Sequence, residues 1–425
     1  MNGMKDMNII NGIDRESSLR SVWLDDENSS VMIIDQTLLP GQMRLEALRT
    51  VEEVWDAIRR LKVRGAPAIG ICAAYGAYLA VKTSTSSDTD GFLLELKDAC
   101  DYLRTARPTA VNLFKALDRM EGAALNSFKA RTFEFGEDDG SNSLRAGAPP
   151  LLSVHDSEWA PPQLPVHDCA GAPPQPLPPV CADNLQASPN IDDAIRSLKQ
   201  EACNIDAENE QMCKMIGEYG LSLLKPGMGI LTYCNAGRLA TSGYGTALAP
   251  IFLGNERGYN FKVFACETRP LLQGARLTTY ELMASDVDVT LICDNMASIV
   301  MKKGWINAVI TGCDHVAVNG DVANKIGTSV LAILAKHYGV PFYICAPSST
   351  IDLSLRDGAG ISIEQRDQRE ITHMMYKTPM APEGVRAYNP SFDVTDAALI
   401  SAFITERGVI YPPFSDDFNR RLSKL

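Results

Sequence analysis

Five short apolar runs, Gly229–Cys234, Phe261–Cys266, Val289–Cys293, Ala308–Cys313 and Pro341–Cys345, recur along the second half of the chain, with helical patterns between them. No other feature constrains the fold as much. Runs of this length are too short for buried helices and right for strands. Strands that alternate with helices pair in parallel, and the helices cover both faces of the sheet. The clearest intervening helical pattern runs from Ala323 to Tyr338. In an open sheet of this kind, ligands bind beyond the carboxyl ends of the strands. Every one of the five runs ends in a cysteine. A small apolar thiol suits a crowded sheet edge, which accounts for Cys266, Cys293, Cys313 and Cys345.

The first half reads differently. Ser21 to Leu24 and Val31 to Gln36 are β-prone and flank a turn-like stretch. Val51, Val54, Trp55 and Ile58 follow helical spacing. Ala66 to Val81 is apolar on nearly every face, so it predicts a buried helix with Pro67 in its first turn. Two more helical patterns cover about 92–105 and 109–127. Between Pro149 and Pro189 lie 11 of the 24 prolines, after a stretch rich in Gly, Asp, Asn and Ser. Such a composition buries too little apolar surface to offset its ordering entropy. The expected organisation is a β/helical first domain over 1–135, an inserted surface loop over 136–190, a connecting helix over 191–225 that stops at Lys225-Pro226-Gly227, and a parallel-sheet domain over 226–425.

Composition removes several function classes. The net charge is −12, which argues against broad nucleic-acid binding, since that needs a basic patch to replace phosphate counterions. The longest uncharged apolar stretch, Ala66 to Val81, falls short of a membrane span and contains Pro67, Gly70 and Gly76. The first residues show no basic segment followed by an apolar one. With 11 scattered cysteines and no CxxC pair, reduced intracellular thiols are expected. His155, His167, Cys169 and Cys181 lack zinc-site spacing, so no metal or other cofactor is expected.

The chemistry concentrates at the strand ends. After Cys234 come Asn235-Ala236-Gly237-Arg238 and a run of small residues, read as a loop leading into a helix. A helix N-terminus there would favour an anion and activate a neighbouring thiol; a plain strand-to-helix turn fits the same residues. Gly243-Tyr244-Gly245, with Glu267 after the next strand, begins like a dinucleotide fingerprint. Leu248 occupies the third glycine position, and the glycines come too late for the tight turn. Asp314 follows the fourth run among Val309, Ile310, Val316 and Val318, surroundings that raise a carboxyl pKa and suit a proton donor; a turn-capping aspartate is the structural reading. Asp321 suits a helix N-cap, which would put Lys325 in a first turn, where a ligand phosphate would explain a cation. His315 could titrate, though a lone histidine is more often structural. Arg64-Gly65-Ala66-Pro67 and Arg107-Pro108-Thr109 place guanidinium groups at helix junctions, and with Lys325 they could form a composite anion site.

Taken together, RGAPAIG (64–70), RPTAVNL (107–113), CNAG (234–237), LATSGYGTALAPI (239–251), ETRPLLQGARLTTYEL (267–282), DNMA (294–297), NGDVANKIGT (319–328) and NPSFDVTDAALISAFITERGV (389–409) resemble the methylthioribose-1-phosphate isomerases. That family is related to the regulatory subunits of translation initiation factor 2B. The resemblance implies an α/β fold: a small-sheet-plus-helices domain, then a Rossmann-like domain without a nucleotide. It implies conversion of 5-methylthioribose 1-phosphate to 5-methylthioribulose 1-phosphate in methionine salvage, by a homodimer. Carried over position by position, it makes Cys234 and Asp314 the catalytic pair, with Asp314 the proton donor. Arg64, Gly65, Ala66, Arg107, Gln273, Asn324 and Lys325 become substrate contacts. The chain departs from the family at Tyr233, Arg238 and His315, where His, a small residue and Arg are commoner. Two other readings share the architecture: a non-catalytic regulatory subunit of the initiation factor, which would tolerate loss of the pair, and a ribose 1,5-bisphosphate isomerase, which would need basic groups for a second phosphate.

The chain ends Ser423-Lys424-Leu425 after Arg420 and Arg421. This tripeptide is a receptor-read peroxisomal address, so a peroxisome-like organelle is expected, with cytoplasm and nucleus as the alternative. Fractionation of cells expressing the full chain or a version lacking Leu425 is expected to find the first in the organelle and the second in the cytosol. Equal cytosolic distribution would contradict the address.

Overall fold

The structure, a computed structural model, describes residues 19–108, 110–134 and 191–422. The proline-rich stretch 136–190, with its histidines and cysteines, and Ser423-Lys424-Leu425 lie outside the described residues.

The first half begins with the antiparallel strands β1 (Val22–Asp25), β2 (Ser30–Ile34) and β3 (Leu45–Leu48). The first two form the hairpin that their β-prone residues predict. β3, with the sequence Leu-Glu-Ala-Leu, has no strong strand propensity and is held by pairing with β2. Four helices follow: α1 (Val51–Arg59), α2 (Ala66–Val81), α3 (Thr89–Arg104) and α4 (Val111–Glu134). Thr50 caps α1 by accepting from Glu53 N–H, and Asp88 caps α3 by accepting from Gly91 N–H. α2 spans the predicted residues and is buried along most of its length, packed by the other three. A fully buried aliphatic side chain such as Ile71 contributes about 2 kcal/mol.

α5 (Ile191–Leu221) joins the halves and ends four residues earlier than the Lys225-Pro226-Gly227 signal suggested. Its Ala194, Leu198, Ala202 and Ile205 pack in the first core, while Ile216 and Leu221 pack against the sheet of the second half.

That half runs β4 (Gly229–Thr232), α6 (Ala249–Glu256), β5 (Lys262–Cys266), α7 (Thr279–Ala284), β6 (Asp288–Ile292), α8 (Ala297–Lys302) and β7 (Ala308–Thr311). It continues with β8 (His315–Ala317), β9 (Val322–Lys325), α9 (Thr328–Tyr338), β10 (Phe342–Cys345), β11 (Ile351–Asp352), α10 (Arg369–Thr372) and β12 (Phe392–Thr395). β13 (Ala402–Thr405), β14 (Gly408–Ile410) and α11 (Phe414–Leu422) close it. The main sheet has the order β14-β13-β10-β7-β4-β5-β6, parallel except for β14. All five apolar runs are strands of it. Only Cys266 and Cys345 end their strands; Cys234, Cys293 and Cys313 lie one or two residues beyond. Neighbouring β4 and β7 lead to β5 on one side and β10 on the other, so strand order reverses between them. A crevice opens at such a point.

One expected helix starts late. Val322–Lys325 is strand β9, the second arm of a hairpin with β8, and it pairs with β12 in register Lys325↔Phe392. Asp321 therefore caps no helix; it accepts from Ala397 N–H, Gly358 N–H and the Asn319 side chain. Lys325 sits on a strand, not in a first turn. The helix begins only after Gly327, whose φ of 104° breaks the chain direction. Apolar spacing misled here because Val322 and Ala323 are buried by sheet pairing.

Gly65, ahead of α2, has φ 97°, and a Cβ there would run into the backbone of Ala240 in the other half. Gly65→Ala is expected to cost about 2 kcal/mol or more through strain and separation of the halves. An unchanged thermal midpoint would contradict that close approach.

Candidate active site

Cys234 and Asp314 follow the carboxyl ends of β4 and β7, the adjacent strands at the reversal point. The first half covers this crevice and encloses a cavity lined by all nine residues singled out in the sequence: the pair itself, Arg64, Gly65, Ala66, Arg107, Gln273, Asn324 and Lys325.

The positive side of the cavity has three sources. At the start of α2, Gly65 offers no side-chain cap, so the first-turn N–H groups are left for a ligand. Arg107 is mostly buried, with Nη2 3.4 Å from Glu364. Lys325 is brought in by the β8–β9 hairpin; its Nζ donates to Ser391 O at 3.1 Å and lies 5.0 Å from the Phe392 ring centroid. Arg64 also lines the cavity, but its guanidinium donates to Asn235 O at 3.0 and 3.2 Å, to the Asn235 side chain and to Gln36. It supplies charge while tying the halves together.

Burial pushes the Asp314 carboxyl above the ordinary carboxylate range; Lys325, Arg107 and Arg64 oppose this without cancelling it. Burial also pulls the Lys325 ammonium below its usual value, against the favourable charges of Cys234 and Asp314. A bound phosphate dianion would favour the protonated form of both, keeping the lysine charged and the aspartic acid ready to donate. Gln273 is buried, and its Oε1 finds no partner among the described residues, a group suited to a substrate hydroxyl. Asn324 is buried on β9, donating to Thr328 Oγ1.

Cys313 also lines the cavity, but burial raises its thiol well above the ordinary range, which suits a packing residue. Among the three departures from the family, only Tyr233 faces the cavity, its hydroxyl donating to Ile326 O at 2.8 Å. Arg238 stacks on Phe252 at 4.5 Å from the ring centroid, and His315 pairs with Asp352 at 3.2 Å; neither lines the cavity. The loop after Cys234 does not lead straight into a helix. It makes a 3₁₀ turn, Arg238–Ala240, and α6 begins only at Ala249. Gly245, at φ 89°, packs against Gly237, where a Cβ would not fit.

Four contributors escaped the sequence reading. Asn235 stands in the CNAG motif, where the sequence assigns it no role of its own. Arg366, in an irregular stretch without periodicity, reaches the cavity with its guanidinium held by Glu370 at 2.5 and 2.8 Å. Thr268 and Thr278 are buried and bond the Cys234 backbone. Only their place within the ETRPLLQGARLTTYEL stretch could have flagged the threonines.

A family model described as the initiation factor 2 subunit family matches residues 62–412. A methylthioribose-1-phosphate isomerase of Symbiobacterium thermophilum is 54% identical over 94% of this chain and 94% of its own length. A 5-deoxyribose 1-phosphate isomerase of Petrotoga mobilis is 48% identical, over 94% and 98%. Among solved structures, 5-methylthioribose 1-phosphate isomerase from Pyrococcus horikoshii OT3 superposes with a TM-score of 0.76 at 35% identity, covering 97% of this chain and 98% of that one. A protein titled translation initiation factor eIF-2B, subunit delta, from A. fulgidus gives 0.73 at 38%, covering 96% and 100%.

Proposed function

The chain belongs to the initiation factor 2 subunit family, and on that footing we propose that it is a sugar-phosphate isomerase converting 5-methylthioribose 1-phosphate to 5-methylthioribulose 1-phosphate, a step of methionine salvage. The observation that carries this is the meeting of Cys234 and Asp314 with Arg107, Lys325 and the start of α2 around one cavity. A regulatory subunit would have no need to keep that set.

The substrate's difficulty explains the arrangement. Its anomeric oxygen carries phosphate, so the ring cannot open through a free hemiacetal. Asp314 protonates the ring oxygen as its bond to C1 breaks. Hydrogen passes from C2 to C1, the C2 hydroxyl gives up its proton, and C2 becomes the ketone; no outside oxidant is needed. Cys234 assists near C2. Lys325, Arg107 and the N–H groups of α2 hold the phosphate, which stays on C1 throughout.

Arg366 bears on the bisphosphate alternative. It is a fourth cation at the cavity, but Glu370 neutralises it, so it is not free for a second phosphate. The name of the 48% identical relative supports a second reading in which 5-deoxyribose 1-phosphate is also turned over; it differs only at C5. We extend the proposal to a homodimer. Ile299 on α8, with Val330 and Ile333 on α9, are 47%, 54% and 56% exposed on neighbouring helices, an apolar face suited to a second copy. Sedimentation equilibrium is expected to give a dimer for the chain and a monomer for Val330→Glu/Ile333→Glu; a monomeric parent would contradict this.

Cys234→Ser and Asp314→Asn are each expected to lower kcat by about 100-fold or more with the fold intact. Lys325→Ala is expected chiefly to raise KM. Near-normal turnover by either member of the pair, or a Lys325→Ala defect confined to kcat, would contradict these roles.

A further inference from the structure

Cys234 is held in an unfavourable backbone conformation, with φ 59°, in the left-handed region that non-glycine residues seldom occupy. Such strain persists only where neighbours over-determine it. Two neighbours do so. The Cys234 N–H donates to Thr268 Oγ1 at 2.9 Å, and its carbonyl accepts from Thr278 Oγ1 at 2.5 Å. Both threonines are fully buried, and each hydroxyl both donates and accepts: Thr268 Oγ1 also donates to Cys266 O, and Thr278 Oγ1 also accepts from Asn235 Nδ2.

Each clamp is itself supported. Thr268 is a β-branched residue at φ 64°, rarer still than a cysteine there. Its N–H donates to Asp294 Oδ1 at 2.8 Å, and the next N–H, of Arg269, donates to Asp294 Oδ2 at 2.7 Å. Thr278 ends a π-helical turn, Gly274–Thr278, an irregularity that recurs at functional sites. That turn starts with Gly274 pressed against the Cys266 carbonyl, where no Cβ fits.

We infer that Thr268 and Thr278 are positioning residues that fix the backbone of Cys234 on both sides and so set where its thiol stands in the cavity, with Asp294 bracing Thr268. The inference rests on reading Cys234 as the reacting thiol. It gives a use to three residues, Thr268, Thr278 and Asp294, that do not themselves line the cavity.

The test compares Thr268→Val and Thr278→Val, which keep shape and lose the hydroxyl, with the serine variants, which keep it. Each valine variant is expected to lower kcat about 10- to 100-fold with KM nearly unchanged, as a misplaced reacting group does. Each should also change the rate at which iodoacetamide alkylates Cys234, followed on that peptide by mass spectrometry. The serine variants should restore both. Valine variants with parental kcat and alkylation rate would overturn the inference, as would serine variants as impaired as valine. If a valine variant does not fold, Asp294→Asn, one step removed from the cysteine, is expected to change the alkylation rate of Cys234, and an unchanged rate would overturn the role of Thr268. Alkylation needs no substrate, so it tests the clamp even if Cys234→Ser proves active and the functional reading fails.

Discussion

A buried polar bridge sets how the two halves of this protein meet. Glu281 on α7 is fully buried and accepts from the Asn235 side chain and the Leu239 N–H. Asn235 in turn accepts the Arg64 guanidinium, through its backbone carbonyl and its side chain. Gln36 completes the circuit, accepting from Arg64 and donating to Leu239 O. Burial raises the Glu281 carboxyl above the usual range, opposed by Asn235 and Arg64. An isolated buried carboxylate would cost several kcal/mol; here each oxygen has a donor and the opposite charge is one residue away. Removing either end would strand the other. Arg64 directly precedes Gly65 and α2, and Asn235 directly follows Cys234, so the same bridge registers the start of α2 against the thiol.

The cavity gathers charge of one sign where the protein as a whole carries the other. A chain with net charge −12 presents Arg64, Arg107 and Lys325 to a single cavity also lined by Asp314. Desolvation there acts in opposite senses on acid and base. It moves Asp314 up and Lys325 down, toward the neutral forms that a dry cavity favours. An arriving phosphate reverses this for the lysine and reinforces it for the aspartic acid. In the proposed reaction, phosphate binding and proton donation by Asp314 would be coupled through that one field.

Much of this was legible in the sequence because the governing patterns are local. The apolar runs became the central strands, and the all-round apolar Ala66 to Val81 became buried α2. The resemblance brought out nine residues that the fold gathers from six stretches of chain. What escaped depended on partners far along the chain. Val322 to Lys325 has helical spacing but is captured as a strand by β12, some seventy residues on. β3 exists because β2 offers it an edge. Arg366 has no periodic context, and Thr268 and Thr278 look like ordinary threonines until the left-handed turn at Cys234 shows what their hydroxyls hold.

The central claim is that this cavity opens a phosphorylated sugar ring and moves a carbonyl to C2. Carbon-13 NMR of the purified full chain with 5-methylthioribose 1-phosphate labelled at C2 reads that event directly. The account predicts that the carbinol resonance of C2 gives way to a ketone carbonyl, while phosphorus remains esterified at C1. An unchanged C2 resonance, or release of inorganic phosphate in place of the ketone, would contradict it.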